Sequence, residues 1–299
     1  MIWVNQIVQG VLLGGYYAVL ACGLSLMFGV MRIINLAHGE LAVLGAFLVF
    51  TLSKHGLSPW VALAVVLPAM ALLGWGLQRT MLERSLRAGV LTPLLTTFGL
   101  AIVIQNLMFE RYGADERSLF PYIGTLGYDS WTITSQVRVA KLYVLIFVVA
   151  VVLLGGLQLF LKRSSLGRAL RATAEDPDTA ELVGVNSRAV YAIAAAIAVA
   201  TAALAGAFLA MRSSINPYSG SQQLIFAFEA VVIGGIGSLW GTLAGGIVLG
   251  VSQNVAAQIN PQWFLLAGNV VFLAILAARL LLTAFAAHGG VRAVLGQRA

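Results

Sequence analysis

Long apolar stretches separated by short clusters of charge dominate the pattern of this chain. No Asp, Glu, Lys or Arg occurs in residues 1–31, 88–109, 142–161 and 189–211. From Ser213 to Ala278 the only charged residue is Glu229. A membrane-spanning helix needs about 20 predominantly apolar residues, so each of these stretches is long enough to cross a bilayer.

The apolar pattern predicts nine helices, at residues 6–29, 36–52, 59–78, 90–109, 142–161, 189–211, 223–237, 240–256 and 262–283. The region 223–256 forms either two spans or one span with a re-entrant piece, because four glycines interrupt it: Gly234, Gly235, Gly237 and Gly241. We therefore expect an all-α integral membrane protein, a polytopic bundle of about eight or nine transmembrane helices with glycine-broken segments. A single transmembrane domain would cover residues 1–299.

Composition supports a membrane protein and excludes most soluble classes. The chain is 60% hydrophobic and 10% charged, whereas soluble domains carry roughly 25% charged residues. The net charge of +7 has no polar basic face to support nucleic-acid binding. We attribute it to the excess of Lys and Arg in cytoplasmic loops.

Positive charge predicts the topology. Three segments are basic and are expected to be cytoplasmic: the loop with Arg79, Arg84 and Arg87, the loop 162–188, and the tail with Arg292 and Arg298. The loop 111–141 has balanced charge and is expected to be external, as is the short loop near Pro217. Nine spans satisfy this arrangement with the N-terminus outside.

Glycine pairs with a four-residue spacing predict close helix packing. They are Gly10 with Gly14, Gly241 with Gly245, and Gly246 with Gly250. Small residues let membrane helices approach each other closely.

The chain has no motif for its own energy supply or for a cofactor. It has no Cys/His cluster or HExxH motif, so we expect no metal site. None of its three lysines follows a glycine, so a nucleotide-binding P-loop is absent. Uphill transport would need a partner or an ion gradient.

A polar segment at residues 35–40 interrupts the apolar pattern. Asn35 can cap the following helix, and His38 and Glu40 then fall in its first turn. They are two residues apart and do not share a helix face, which argues against a joint metal site. The segment is either a polar helix start, a translocation pathway or gate, or a proton relay.

Glu229 lies within a predicted span. A carboxylate there is costly unless it is paired, neutral or near water, so it is a candidate for the pathway. The alternative is a structural hydrogen bond to the glycine-rich backbone beside it.

The loop 162–188 predicts two short amphipathic helices. Asp176 is suited to cap a helix and Pro177 fits its first position, while Gly184 can end it. Ala180, Leu182 and Val183 would offer an apolar surface. We interpret the loop as a docking surface for a cytoplasmic partner, with a solvated basic loop as the alternative.

Four segments together resemble the permeases of the high-affinity branched-chain amino acid ABC importers, from about residue 6 to 275. The segments are residues 35–40 (NLAHGE), 174–186, 215–217 (INP) and 234–241 (GGIGSLWG). Urea and short-chain amide permeases share most of them. Members often end in a short tail after the last span, whereas this chain continues.

The resemblance implies a bacterial inner-membrane subunit rather than an enzyme. It would pair with a second related permease or a second copy of itself, among membrane lipids. Two cytoplasmic ATPases would carry ATP and Mg, and an external solute-binding protein would deliver substrate. The coupling helix would include Glu175, Asp176, Pro177, Asp178, Ala180, Glu181 and Gly184. A secondary transporter using Glu229 is the competing hypothesis.

Overall fold

The computed structural model describes residues 2–89, 91–134 and 137–296, and most of them are helical. The helices are α1 Ile2–Met31, α2 His38–Lys54, α3 Pro59–Leu77, α4 Glu83–Arg87, α5 Thr92–Tyr112, α6 Lys141–Arg163, α7 Ser165–Glu175, α8 Pro177–Leu182, α9 Ser187–Arg212, α10 Ser219–Gly234, α11 Leu239–Ile259 and α12 Trp263–Gly296. The predicted all-α membrane bundle is confirmed.

The predicted count of eight or nine spans is approximate. Within the described part of the chain, six helices are long and apolar enough to cross a membrane, and α10 with α11 makes a seventh candidate. Those two helices form a bent pair at 115°. The lower count has two causes: α2 has only 17 residues, and the glycine break divides one candidate span.

The centre of the bundle is formed by α1, α2 and α9, whose side chains are mostly buried. An all-round apolar helix can be buried on every side, and the many alanines of α9 keep that helix thin. By contrast, α3, α5, α6 and α12 have large exposed apolar side chains, including Leu72, Leu95, Val152 and Leu266. These outer faces suit lipid or a partner subunit.

Two of the predicted glycine pairs pack against each other, on α1 and α11. A Cβ atom on Gly10 would come within 2.5 Å of the Val251 backbone, and one on Gly14 within 2.5 Å of the Ile247 backbone. In return, Gly246 faces the Gly14 carbonyl. The third pair, Gly241 with Gly245, lies on another face of α11 and packs against α10. α11 therefore uses glycine for close approach on two sides.

Two of the three basic segments predicted to be cytoplasmic converge at one end of the bundle. Arg188 lies 3.3 Å from Glu83, and Arg32 donates to the carbonyl of Ala174. The two loops predicted to be external also meet, through paired backbone hydrogen bonds between Arg117 and Ile215. The tail side chains of Arg292 and Arg298 lie outside the residues whose side chains are described.

The loop 111–141 contains a small hairpin that the sequence analysis did not predict. β1 (Ser130–Thr134) pairs antiparallel with β2 (Val137–Ala140), with Ser130 opposite Ala140. Its base is fixed by Lys141, which donates to Asp129 at 2.8 Å. Strands this short give little periodic signal in a sequence.

Gly250→Ala and Gly99→Ala should have opposite effects on stability. A Cβ at Gly250 would collide with the Gly10 carbonyl and reach within 2.9 Å of the Gly14 nitrogen, whereas one at Gly99 meets nothing within 4 Å. We expect Gly250→Ala to destabilise the protein by about 1–3 kcal/mol through overpacking. Gly99→Ala should stabilise its helix by about 0.5–1 kcal/mol.

Thermal unfolding of both variants in detergent tests this prediction. Equal melting temperatures for the two would contradict the close α1–α11 contact.

Candidate functional site

The polar segment before α2 is a buried turn. The side-chain oxygen of Asn35 accepts the Ala37 N–H at 3.0 Å, and the His38 N–H donates to the Asn35 carbonyl at 3.1 Å. The helix starts at His38, and Ala37 occupies the cap position without a side-chain cap. Asn35 therefore closes a turn before α2 instead of capping the helix, because its short side chain bonds locally two residues ahead.

His38 and Glu40 both lie in the first turn of α2 and are buried, but they face different helices. The His38 Nε2 lies 2.8 Å from the Leu20 carbonyl of α1. A carbonyl only accepts, so Nε2–H donates. The other ring nitrogen is buried without a partner. Glu40 instead faces α10, so the two side chains do not form one site.

Glu40 joins the N-terminal ends of two helices. It lies in the first turn of α2, and its carboxyl group occupies the space where a side chain at Gly220 of α10 would begin. The Ser221 hydroxyl donates to Oε1 at 3.4 Å, while Oε2 has no partner. The N-terminus of a helix carries partial positive charge and unpaired N–H groups. A negative Glu40 is thus favoured by both helices.

The other end of α10 is held by a positive charge. The two terminal nitrogens of Arg279, on α12, donate to the carbonyls of Val232 and Ile233, each at 2.7 Å. Basic side chains near a helix C-terminus satisfy its last carbonyls and complement the dipole. Arg279 is not among the site residues predicted from the sequence, although an arginine near the end of a predicted apolar span is a visible signal.

The turn from α10 to α11 depends on two of the four predicted helix-breaking glycines. Gly235 and Gly237 have φ angles of +95° and +81°, a backbone conformation that residues other than glycine rarely adopt. Ser238 then caps α11 by accepting the Gly241 N–H at 3.0 Å. Gly234 ends α10 and Gly241 lies inside α11. These two act by close backbone packing, since a Cβ on either would strike the other's carbonyl.

Glu229 is buried in the middle of α10, with an exposed fraction of 2%. One of its carboxyl oxygens has no hydrogen-bond partner. It borders a cavity of about 490 Å³ whose other lining residues are almost all apolar: Ile34, Leu36, Leu94, Leu224, Ile225, Phe228, Asn269, Phe272 and Leu273. No group of three or more His, Cys, Asp or Glu that could hold a metal occurs among the described residues.

The predicted helical pair in the loop 162–188 consists of α7 and α8. Asp176 caps α8 by accepting the N–H groups of Asp178 and Thr179 at 3.0 and 3.2 Å. The Thr179 hydroxyl also donates to it at 2.6 Å, and this bond, with the backbone bonds, lowers the pKa of Asp176 below its ordinary value. Pro177 is the first residue of α8, and Gly184 follows the helix with a φ of +87°.

The tip of this hairpin exposes apolar side chains. Leu182 is 87% exposed and Val183 is 76% exposed. Glu175, Asp178 and Glu181 are exposed around them. Ala180 differs from the sequence-based expectation, since it is only 3% exposed. It packs inward because α8 has a single buried face, so Ala180 supports the hairpin and the exposed apolar surface is Leu182 with Val183.

Comparison with known proteins identifies the family. Residues 6–280 match the family model described as branched-chain amino acid transport system / permease component. The chain belongs to this permease family.

This permease is similar to several proteins that are named as branched-chain amino acid transport permeases. It is 35% identical to the branched-chain amino acid permease protein BraD of Pseudomonas aeruginosa, over 86% of this chain and 87% of BraD. It is 30% identical to LivH of Escherichia coli K12, over 85% and 86% of the two chains. LivM of the same organism is 26% identical, over 86% of this permease and 65% of LivM. No solved structure matches.

The permease also has buried polar contacts that the sequence patterns did not reveal. The Tyr16 hydroxyl donates to Gln223 and the Tyr17 hydroxyl donates to Gln253, both at 2.6 Å. They connect α1 with α10 and α11. Two adjacent tyrosines in an apolar run were a signal, because a buried tyrosine hydroxyl needs a partner, but the partner cannot be found from spacing.

Glu229→Gln should affect mainly transport, whereas Glu40→Gln should affect mainly stability. Because Glu229 borders an apolar cavity and one of its buried oxygens has no hydrogen-bond partner, we expect the glutamine variant to lose transport several-fold while the protein still inserts and stays folded. Glu40→Gln removes a charge from two helix ends and should lower stability by about 0.3–1 kcal/mol for each end.

The measurements are substrate uptake in proteoliposomes and thermal unfolding of the same preparations. Wild-type uptake by Glu229→Gln would leave Glu229 with a structural role only.

Proposed function

We propose that this chain is the membrane permease subunit of an ATP-driven importer that moves branched-chain or other hydrophobic amino acids into a bacterial cell. Its place would be the inner membrane. The observation that carries the proposal is the family match over residues 6–280, supported by the names of relatives that are similar over most of their length.

A second, related permease is the expected partner within the membrane. LivH and LivM of Escherichia coli are both named permease proteins of a branched-chain amino acid transport system, and both are similar to this chain. The exposed apolar faces of the outer helices give such a partner a surface on which to pack. A homodimer is the alternative.

The α7–α8 hairpin is the proposed docking surface for ATPase subunits, which would bind ATP and Mg. The hairpin exposes Leu182 and Val183 together with the acidic side chains of Glu175, Asp178 and Glu181. An apolar centre with a charged rim is typical of protein interfaces. The solute-binding protein would then dock at the opposite end, at the loop 111–141.

Movement of the hairpin can reach the spans through direct contacts. The Ala174 carbonyl accepts from Arg32 at the end of α1, and the Pro177 carbonyl accepts from Ser187 at the start of α9. α1 and α9 form the centre of the bundle. A displacement of the hairpin by the ATPases would therefore act on the two helices that most of the others contact.

Affinity purification from native membranes in mild detergent tests the proposal. We expect two ATPase subunits and a second permease to be recovered with the tagged chain. Recovery of the chain alone, from membranes in which the ATPases are detected, would instead support a secondary transporter.

Changes at the hairpin tip should release the ATPases. Leu182→Asp with Val183→Asp removes the apolar contact, and Glu175→Lys with Asp178→Lys adds repulsion against a complementary surface. We expect both double variants to fold and insert but to lose ATPase recovery in the same purification.

Tyr128→Asp is the matched control, because Tyr128 is 75% exposed on the opposite loop. It should retain the ATPases. Undiminished recovery with both hairpin variants would contradict this docking surface.

A further inference from the structure

A second cavity, of about 460 Å³, opens where α9 ends and α10 begins. It is bounded by α1, α9, α10 and the start of α12, at the end of the bundle that we predict to be external. Tyr16, Arg212, Gln222, Phe226 and Phe264 are among its lining residues. Cavities of roughly 300–1,000 Å³ with a few polar groups on an apolar wall are typical small-molecule sites.

Arg212 is the only charged residue among the described lining residues of this cavity. The central carbon of its guanidinium lies 4.8 Å from the centroid of the Tyr16 ring and 5.7 Å from the centroid of the Tyr143 ring. No carboxylate in the described part of the chain forms an ion pair with it. Its Nε atom is buried without a hydrogen-bond partner. Its two terminal nitrogens also make no hydrogen bond within the described part of the chain, so they remain as donors for the two oxygens of a carboxylate.

The surroundings of Arg212 add selectivity for the rest of the ligand. Phe226, Phe264 and Leu265 form an apolar wall, which suits an aliphatic side chain. Gln222 offers an amide oxygen that can accept from an ammonium group. The neighbouring Gln223 already accepts a hydrogen bond from the Tyr16 hydroxyl, and this bond holds both lining side chains in place.

We propose that this cavity is a binding site for a zwitterionic amino acid, with the carboxylate on Arg212 and the aliphatic side chain against Phe226 and Phe264. The inference rests on the proposed function, since it assigns the substrate class of the importer to a site on the permease itself. The first turns of α10 line the cavity, so a bound amino acid would contact the helix that Glu40 and Arg279 hold at its ends.

Protection of an introduced cysteine tests the site directly. Cys22 is the only cysteine in the sequence and is fully buried, so Gln262→Cys would place one reactive thiol in the exposed wall of the cavity. The full transporter is labelled with maleimide in nanodiscs, with L-leucine or with isoamylamine, which lacks the carboxylate. We expect L-leucine to slow labelling several-fold and isoamylamine to leave it unchanged.

Variants of Arg212 test whether this residue recognises the carboxylate of the ligand. Arg212→Gln should abolish protection by L-leucine, and Arg212→Lys should keep part of it, because a lysine retains the charge without the bidentate geometry. The lysine variant also answers the question if the glutamine variant does not fold. Tyr128→Cys, on the same end but outside the cavity, should label equally with and without ligand.

Three results would overturn the proposal: no protection by L-leucine, equal protection by isoamylamine, or full protection in Arg212→Gln. The outcome is distinguishable from that of the proposed function. Recovery of ATPases without protection by L-leucine would contradict the binding site and support the importer function. Protection by L-leucine without recovery of ATPases would support the binding site and contradict the importer function.

Discussion

The two ends of α10 set the constraint on which the rest of this bundle depends. The first N–H groups and the last carbonyls of a helix have no partner within the helix itself. Here Glu40 stands at the N-terminal end and Arg279 at the C-terminal end. Each charge has the sign that the helix dipole favours, so a broken helix is stable where an open loop would not be.

Close packing of α11 follows from the same arrangement. Once α10 turns back at Gly235 and Gly237, α11 must fit between α10 and α1. Glycines on two of its faces remove the side chains that would keep those helices apart. With little hydrophobic force between helices in lipid, backbone contact of this kind supplies much of their attraction.

Sequence pattern predicted the helices before residue 213 well because most of the apolar stretches there are long and are bounded by charge. It also predicted the cap at Asp176, whose partners lie two and three positions further along the chain. It failed where partners are distant in the chain. The pairing of Glu40 with Ser221, separated by 181 residues, and of Arg279 with Val232 leaves no local signal. Ala180 was misplaced because α8 is too short for its buried face to be assigned from periodicity.

Four of the charged groups in and beside the spans divide by whether they form hydrogen bonds within the described part of the chain. Arg279 is bonded to two carbonyls, and Glu40 is bonded to Ser221 at two helix N-termini; both act on the protein itself. Glu229 and Arg212 border cavities instead, and within the described part of the chain neither side chain forms a hydrogen bond. An unsatisfied buried group costs free energy, and a ligand or water in the cavity can lower that cost. The contrast is the physical reason why we propose a role in transport for the second pair and a structural role for the first.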